Sequence, residues 1–354
     1  MNRAFQHRSL AVALWLFGVA ALVFAMVVVG GVTRLTDSGL SITEWKPLAG
    51  AIPPLNHADW AKEFANYQRI PEYQQINRGM TLDEFKGIFW WEWAHRQLGR
   101  LIGLAFALPF LVLLVLRKIP RRLVWRCLGL LALGGLQGAI GWWMVSSGLA
   151  DRVDVAPERL AIHLGMALLI FVLLVWTGLE ALSGRERSRP PAGWARASAA
   201  ILALVYVQAL LGALVAGSDA GMVYNDWPRM NGAWLPPVDW SKGPLAFLHD
   251  QALVQFNHRI GAYVVLIAVT LYAVRAFTAR MPEAVKAGAV GLAVLVWGQA
   301  TLGVLTLINA VPLPLGALHQ AGAVAVLAAA TFGLWRILRL EERLFSPGIG
   351  SRGR

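Results

Sequence analysis

Apolar residues in this chain come in long unbroken runs, not in the two-residue alternation of a half-buried strand. About 20 residues of helix are needed to cross roughly 30 Å of hydrocarbon. Eight runs meet that length, at 10–32, 92–116, 122–145, 158–181, 195–217, 251–275, 286–308 and 314–337. The first is longer than a signal-peptide core and ends at no small-x-small cleavage site, so it reads as a retained signal anchor. Thr81-Leu-Asp-Glu84 has the form of a capping box, which predicts a short helix leading into the second span, with a chance match as the competing reading.

Composition supports the same class. Of 354 residues, 57% are hydrophobic and 15% are charged, against about a quarter charged in a soluble domain. The formal charge of +12 does not point to nucleic acid, because Lys and Arg stand in short clusters between apolar runs. Those clusters fall in the N-terminal tail, in 117–126, 185–196 and 275–286, and in the C-terminal tail. By the positive-inside rule both termini face the cytoplasm, and the long loops 33–91 and 218–249 lie outside. Both loops are rich in Trp, Pro and Gly, which suits a membrane surface. The single cysteine, Cys127, excludes an internal disulfide and covalent haem attachment through C-x-x-C-H.

The chain repeats itself with a period near ~160 to 180 residues. Glu92-Trp-Ala-His95-Arg96 matches Gln255-Phe-Asn-His258-Arg259. Gln137-x-x-x-Gly141 matches Gln299-x-x-x-Gly303, and Ala161-x-His163 matches Ala317-x-His319. In the outer loops Gly39, Trp45 and Pro53-Pro54 correspond to Gly221, Trp227 and Pro236-Pro237. The expected fold is therefore an all-α integral membrane protein, with eight transmembrane helices forming two tandem four-helix bundles related by internal duplication. The halves are 1–184, with outer loop 33–91, and 195–340, followed by a cytoplasmic tail at 341–354. Each half has an even number of spans, which makes the repeat a parallel one.

Four of the seven histidines, His95, His163, His258 and His319, lie near the outer starts of the even-numbered spans and so at one depth. Lipid gives an imidazole no hydrogen-bond partner, which makes histidines in spans functional candidates. Neutral imidazole is a common axial ligand of haem iron, and a bundle core can hold a cofactor between facing helices. Pairing His95 with His163, and His258 with His319, gives two haem sites. Gly99, Ala167, Ala262 and Ala323, four residues after each histidine, leave clearance for a flat macrocycle. Small-x-x-x-small helix packing accounts for them equally simply. Zinc is disfavoured, because no further Cys, Asp or Glu ligand recurs in both halves.

Arg96 and Arg259 each follow a histidine, at a depth where a guanidinium can pair with a haem propionate or snorkel to the interface. Arg100 is a candidate helper. The halves differ at Glu92, whose counterpart is Gln255. A carboxylate beside a haem can accept or deliver protons and a glutamine cannot, so chemistry falls to the first half and electron carriage or support to the second. The simpler reading is an acid favoured near a helix N-terminus. His7, His57 and His249 read as surface residues.

Gly30-Gly31-Val-Thr-Arg34-Leu-Thr-Asp-Ser-Gly39-Leu-Ser, Glu44-Trp45-Lys-Pro47, Ile52-Pro-Pro54 and Trp91-Glu92-Trp-Ala-His95-Arg96 resemble the haem A synthases, in their proteobacterial and mitochondrial branch. The resemblance runs through the second repeat to His319. It implies an oxidoreductase acting on a CH3 group, which converts a ring methyl of haem O to the formyl of haem A for terminal cytochrome oxidase. It also implies that His95 and His163 flank the substrate haem O, that Glu92 is essential, and that His258 and His319 ligate a haem B cofactor. Some members carry cysteine pairs in the outer loops; this chain has none there, so a thiol role in delivering reducing equivalents does not carry over.

With no transit peptide ahead of the first span, the expected location is a bacterial plasma membrane, with haem sites near the periplasmic face. Expected partners are lipid, a haem O synthase that hands over substrate, and an electron donor that the sequence does not identify; a homo-oligomer fits the pattern, and nucleic acid does not. The rival reading is a quinol-linked dihaem electron-transfer subunit, which gives no reason for the Glu92/Gln255 difference. A transporter would instead place its polar groups near the midplane.

Overall fold

The structure, a computed structural model, describes residues 9–183 and 193–340. His7 and the tail 341–354 lie outside the described residues. Among those described the chain is helical, with one isolated bridge between Met230 and Ala233 and no strand. In order the helices are α1 (Leu10–Leu35), α2 (His57–Tyr67), α3 (Pro71–Gln75), α4 (Leu82–Val115), α5 (Arg121–Val145), α6 (Pro157–Ser183), α7 (Trp194–Gly217), α8 (Ala246–His249), α9 (Gln251–Thr278), α10 (Glu283–Ile308) and α11 (Leu313–Ile337). Eight of them, α1, α4 to α7 and α9 to α11, are long and apolar enough to cross a membrane. This is a multi-pass membrane protein.

The main departure from the expected elements is α4. The predicted short helix at Thr81 and the predicted span from residue 92 are one continuous helix that starts at Leu82. The capping box is complete: the Glu84 N–H donates to Thr81 Oγ1 at 3.3 Å, and the Thr81 N–H donates to Glu84 Oε2 at 2.7 Å. The helix continues because its first turns are buried. Phe85 and Phe89 pack against Trp60, Phe64 and Tyr67 of α2, so the segment between α1 and α4 supplies an apolar partner for these first turns.

Helices α1, α4, α5 and α6 pack as a ring in the order α1–α4–α5–α6 and back to α1. Helices α7, α9, α10 and α11 do the same in the order α7–α9–α10–α11. In each ring the histidine-bearing helices, α4 with α6 and α9 with α11, occupy opposite corners. The rings meet where α1 and α6 pack on α7 and α11. Polar ties cross that seam: Gln320 Nε2 donates to the Val27 carbonyl at 2.7 Å, and the Tyr206 hydroxyl donates to the Gly165 carbonyl at 2.8 Å. At the C-terminal end of α1, Arg34 pairs with Asp37 at 2.8 Å and with Asp219, from the other ring, at 2.6 Å.

Candidate functional site

All four histidines sit at the same end of the bundle and are half-buried. His95 on α4 stands across one diagonal of the first ring from His163 on α6, and His258 on α9 across one diagonal of the second from His319 on α11. Helices on the other diagonal provide the seats. A Cβ on Gly30 of α1 would stand 2.8 Å from His95 Cε1, and one on Gly141 of α5 would stand 2.9 Å from His163 Cε1. The same distances are 3.1 Å from Gly212 of α7 to His258 and 2.7 Å from Gly303 of α10 to His319. Real Cβ contacts essentially never fall under 3.0 Å and seldom reach 3.1 Å, so each imidazole occupies or crowds the space that a side chain at the glycine would take.

Glutamines one turn before three of these glycines hold the rings. Gln137 Nε2 lies 3.1 Å from His163 Nδ1 and donates to the His163 carbonyl at 3.0 Å. Gln208 lies 3.0 Å from His258 Nδ1 and donates to that residue's carbonyl at 2.8 Å. Gln299 treats His319 alike, at 3.0 and 2.7 Å. Sequence reading registered Gln137 and Gln299 as repeat markers without their role and missed Gln208, although Gln208-x-x-x-Gly212 repeats the same signature.

Glu92 is buried, at 4% exposure. Its Oε1 accepts from Arg96 Nε at 3.0 Å and from Nη2 at 2.5 Å; its Oε2 accepts from Ser41 Oγ at 2.8 Å and the Ile42 N–H at 2.7 Å. Arg96 also donates to the carbonyls of Ile42 and Glu44, at 2.7 and 3.0 Å. Arg100 donates to the carbonyls of Lys46 and Pro47. These guanidiniums therefore pin the loop that follows α1, and every nitrogen of Arg96 has a protein acceptor.

In the second ring Arg259 donates to Gln255 Oε1 at 2.8 Å and to the Tyr224 and Arg229 carbonyls, each at 2.9 Å. Its Nε is buried with no partner among the described residues. Gln255 Nε2 donates to the Ala220 carbonyl at 2.6 Å. The loops thus present opposite faces: donors meet Glu92, and a carbonyl meets the amide of Gln255.

Of the small residues, Gly99 stands 3.4 Å, measured from its built Cβ, from the Met26 methyl. His57 is exposed at the start of α2, as expected. His249 is not a plain surface residue: it is half-buried, with Nε2 3.7 Å from Glu158 Oε2, because α8 folds back onto α6.

Among the described residues no three His, Cys, Asp or Glu side chains gather to hold a bare metal ion. A porphyrin does not need that, because the macrocycle supplies four ligands and the protein only the axial ones. Diagonal imidazoles seated on glycine, with unpartnered buried amide oxygens on Gln137, Gln208 and Gln299 behind them, fit such a group.

A profile of the COX15-CtaA family, described as cytochrome oxidase assembly protein, matches residues 13–331. The chain is 57% identical over 334 residues to a heme A synthase of Caulobacter sp. (strain K31), covering 94% of this chain and 97% of that one. It is 56% identical to the heme A synthase of Caulobacter vibrioides, with the same shares covered. Against that of Parvibaculum lavamentivorans the figure is 52%, covering 94% of this chain and 95% of the other. With a match of that length and identity, this chain belongs to the COX15-CtaA family of cytochrome oxidase assembly proteins.

Proposed function

We infer that this protein is a haem A synthase, an oxidoreductase that converts a ring methyl of haem O to the formyl group of haem A. The observation that carries the reading is the pair of diagonal imidazole sites, each ring seated on a glycine, in a chain more than half identical to heme A synthases over nearly its whole length. The relatives bear that name, and none of those compared above is an electron-transfer subunit.

In this reading haem O is the substrate between His95 and His163, and haem B is the cofactor between His258 and His319. The two halves derive from duplication, and their matching ring order supports this. Both termini are cytoplasmic and both haem sites lie toward the periplasm, in a bacterial plasma membrane. A haem O synthase hands over the substrate.

Two differences between the halves support placing the substrate in the first. Glu92 is an ionisable group where the second half has Gln255. Helices α4 and α5 also pack less closely than their counterparts α9 and α10, which supports entry of an isoprenoid-bearing substrate from lipid between them.

The reaction is two successive oxygenations, each consuming O2, two electrons and two protons and releasing one water. They give the alcohol and then the hydrate, which loses water to the aldehyde. Haem B, when bound, supplies one-electron redox chemistry. The chain's own residues do the rest: His95 and His163 orient the substrate, Glu92 provides a protonatable site at its edge, and Arg96 with Ser41 holds that carboxylate in place. Arg96 and Arg100 tie the loop carbonyls of Ile42, Glu44, Lys46 and Pro47 to the helix that carries His95.

Haem extraction and mass analysis from cells supplying haem O tests this. Wild type is expected to yield haem A, and Glu92→Gln to accumulate haem O or its alcohol. Only unmodified haem B from both proteins would sink the synthase reading.

A further inference from the structure

Four imidazoles stand on four glycines, but only three are held by an amide. Gln137, Gln208 and Gln299 each stand four residues before the glycine that seats a ring, and each contacts both Nδ1 and the carbonyl of the histidine it faces. The fourth position, four residues before Gly30, is Met26. The glycine that makes room for the His95 ring is kept and the amide is not. Accordingly His95 Nδ1 is buried and has no hydrogen-bond partner among the described residues.

An amide suits a ligating imidazole in either of its protonation states. Its nitrogen donates to a bare Nδ1, as seen here. Its oxygen accepts from Nδ1–H, the tautomer that a ring must adopt to offer Nε2 to a metal. That oxygen is buried and unpartnered in all three glutamines, and a half-turn of the amide brings it to Nδ1 for the second role. A thioether is only a weak acceptor and no donor, so Met26 can play neither part.

We propose that Gln137, Gln208 and Gln299 are positioning residues that fix His163, His258 and His319 as haem ligands, and that Met26 leaves His95 as the one releasable ligand. The inference rests on the haem-binding reading above and deepens it. The second ring holds its haem from both sides. The first holds its haem firmly from α6 only and can free the α4 side of the iron. A substrate that must be taken up, oxidised and passed on needs such a side; a resident cofactor does not.

The test is carbon monoxide binding to the reduced, haem-containing protein in detergent, with haem per chain measured alongside. Carbon monoxide takes an axial position only where an imidazole has left. Wild type is expected to react at one haem. Met26→Gln should lower that reactivity about tenfold at unchanged haem content, the scale on which groups behind metal ligands act. Met26→Leu, which changes the sulfur but adds no amide, should react as wild type does.

Gln208→Met approaches from the other side and should loosen the second haem, read as a new carbon monoxide-reactive fraction or as loss of that haem. Unchanged reactivity in Met26→Gln at full haem content overturns the proposal, as does an equal effect of Met26→Leu, which would mean packing rather than hydrogen bonding. His95→Ala with no change in haem content or spectrum would instead overturn the haem-binding reading, and this proposal with it.

Discussion

Gly303 on α10 and His319 on α11 are in such close contact that a single added methyl group would stand 2.7 Å from the imidazole Cε1. The ring is a movable side chain, so the expected result of Gly303→Ala is displacement of His319 rather than unfolding. Haem content should fall in the second ring only, and the low-spin spectrum of that haem should be lost. Gly298→Ala, one turn away and with open space around it, is the control and should leave both unchanged.

Arg96 and Glu92 form a buried pair on adjacent turns of α4, at 19% and 5% side-chain exposure. Removing the cation leaves a buried carboxylate unpaired, a loss on the order of 3 kcal/mol. Arg96→Met should therefore lower the melting temperature in detergent clearly more than Arg259→Met, whose partner Gln255 is neutral. Equal losses would mean that the arginines matter only through the loop carbonyls they share as acceptors.

Glu72, on α3 in the outer loop, is 5% exposed, and its Oε2 has no partner among the described residues. Burial, reinforced by the negative charges of Asp37, Asp154 and Glu92, pushes its carboxyl up to about 8 from an ordinary 4.5. The folded state thus binds this proton more tightly than the unfolded one. Its contribution is fully present below pH 4.5 and is lost as pH rises through about 8. Wild-type thermal stability should decline across that window more steeply than that of Glu72→Gln; parallel profiles would rule the assignment out.

Where the rings meet, a Cβ on Gly31 would collide with Gln320 Oε1, while one on Gly18 of the same helix meets nothing. Gly31→Ala should cost about 1–3 kcal/mol through overpacking of the seam, measured as a drop in melting temperature that Gly18→Ala does not show. Gly31→Ala with Gln320→Ala should recover part of the loss, since the double substitution removes the clash.

The eight spans were legible because length and hydrophobicity alone decide whether a segment can cross lipid. The histidines were legible because a titratable ring in an apolar run stands out. What held those rings was not: Gln137, Gln208 and Gln299 lie 26, 50 and 20 residues from their partners, and no shared sequence period links them. The start of α4 was legible in its capping box, but its unbroken run into the second span was hidden for a related reason, since its first turns are stabilised by α2 and not by lipid. The pairing of Glu92 with Arg96 could have been read from their four-residue spacing. That Arg96 also binds the carbonyls of Ile42 and Glu44 could not, because it depends on where a loop folds back.

The seam between the rings joins the first helix to the last. Helix α1 packs on α11, and Gln320 donates to the Val27 carbonyl across 293 positions of sequence. Translation delivers these partners at opposite ends of synthesis. The face of α1 around Gly31 must therefore wait in lipid while every other span is made, and Arg34 waits likewise for Asp219. A chain that stops before α11 would therefore lack the partner that Gln320 gives this face of α1 and would leave the seam open there.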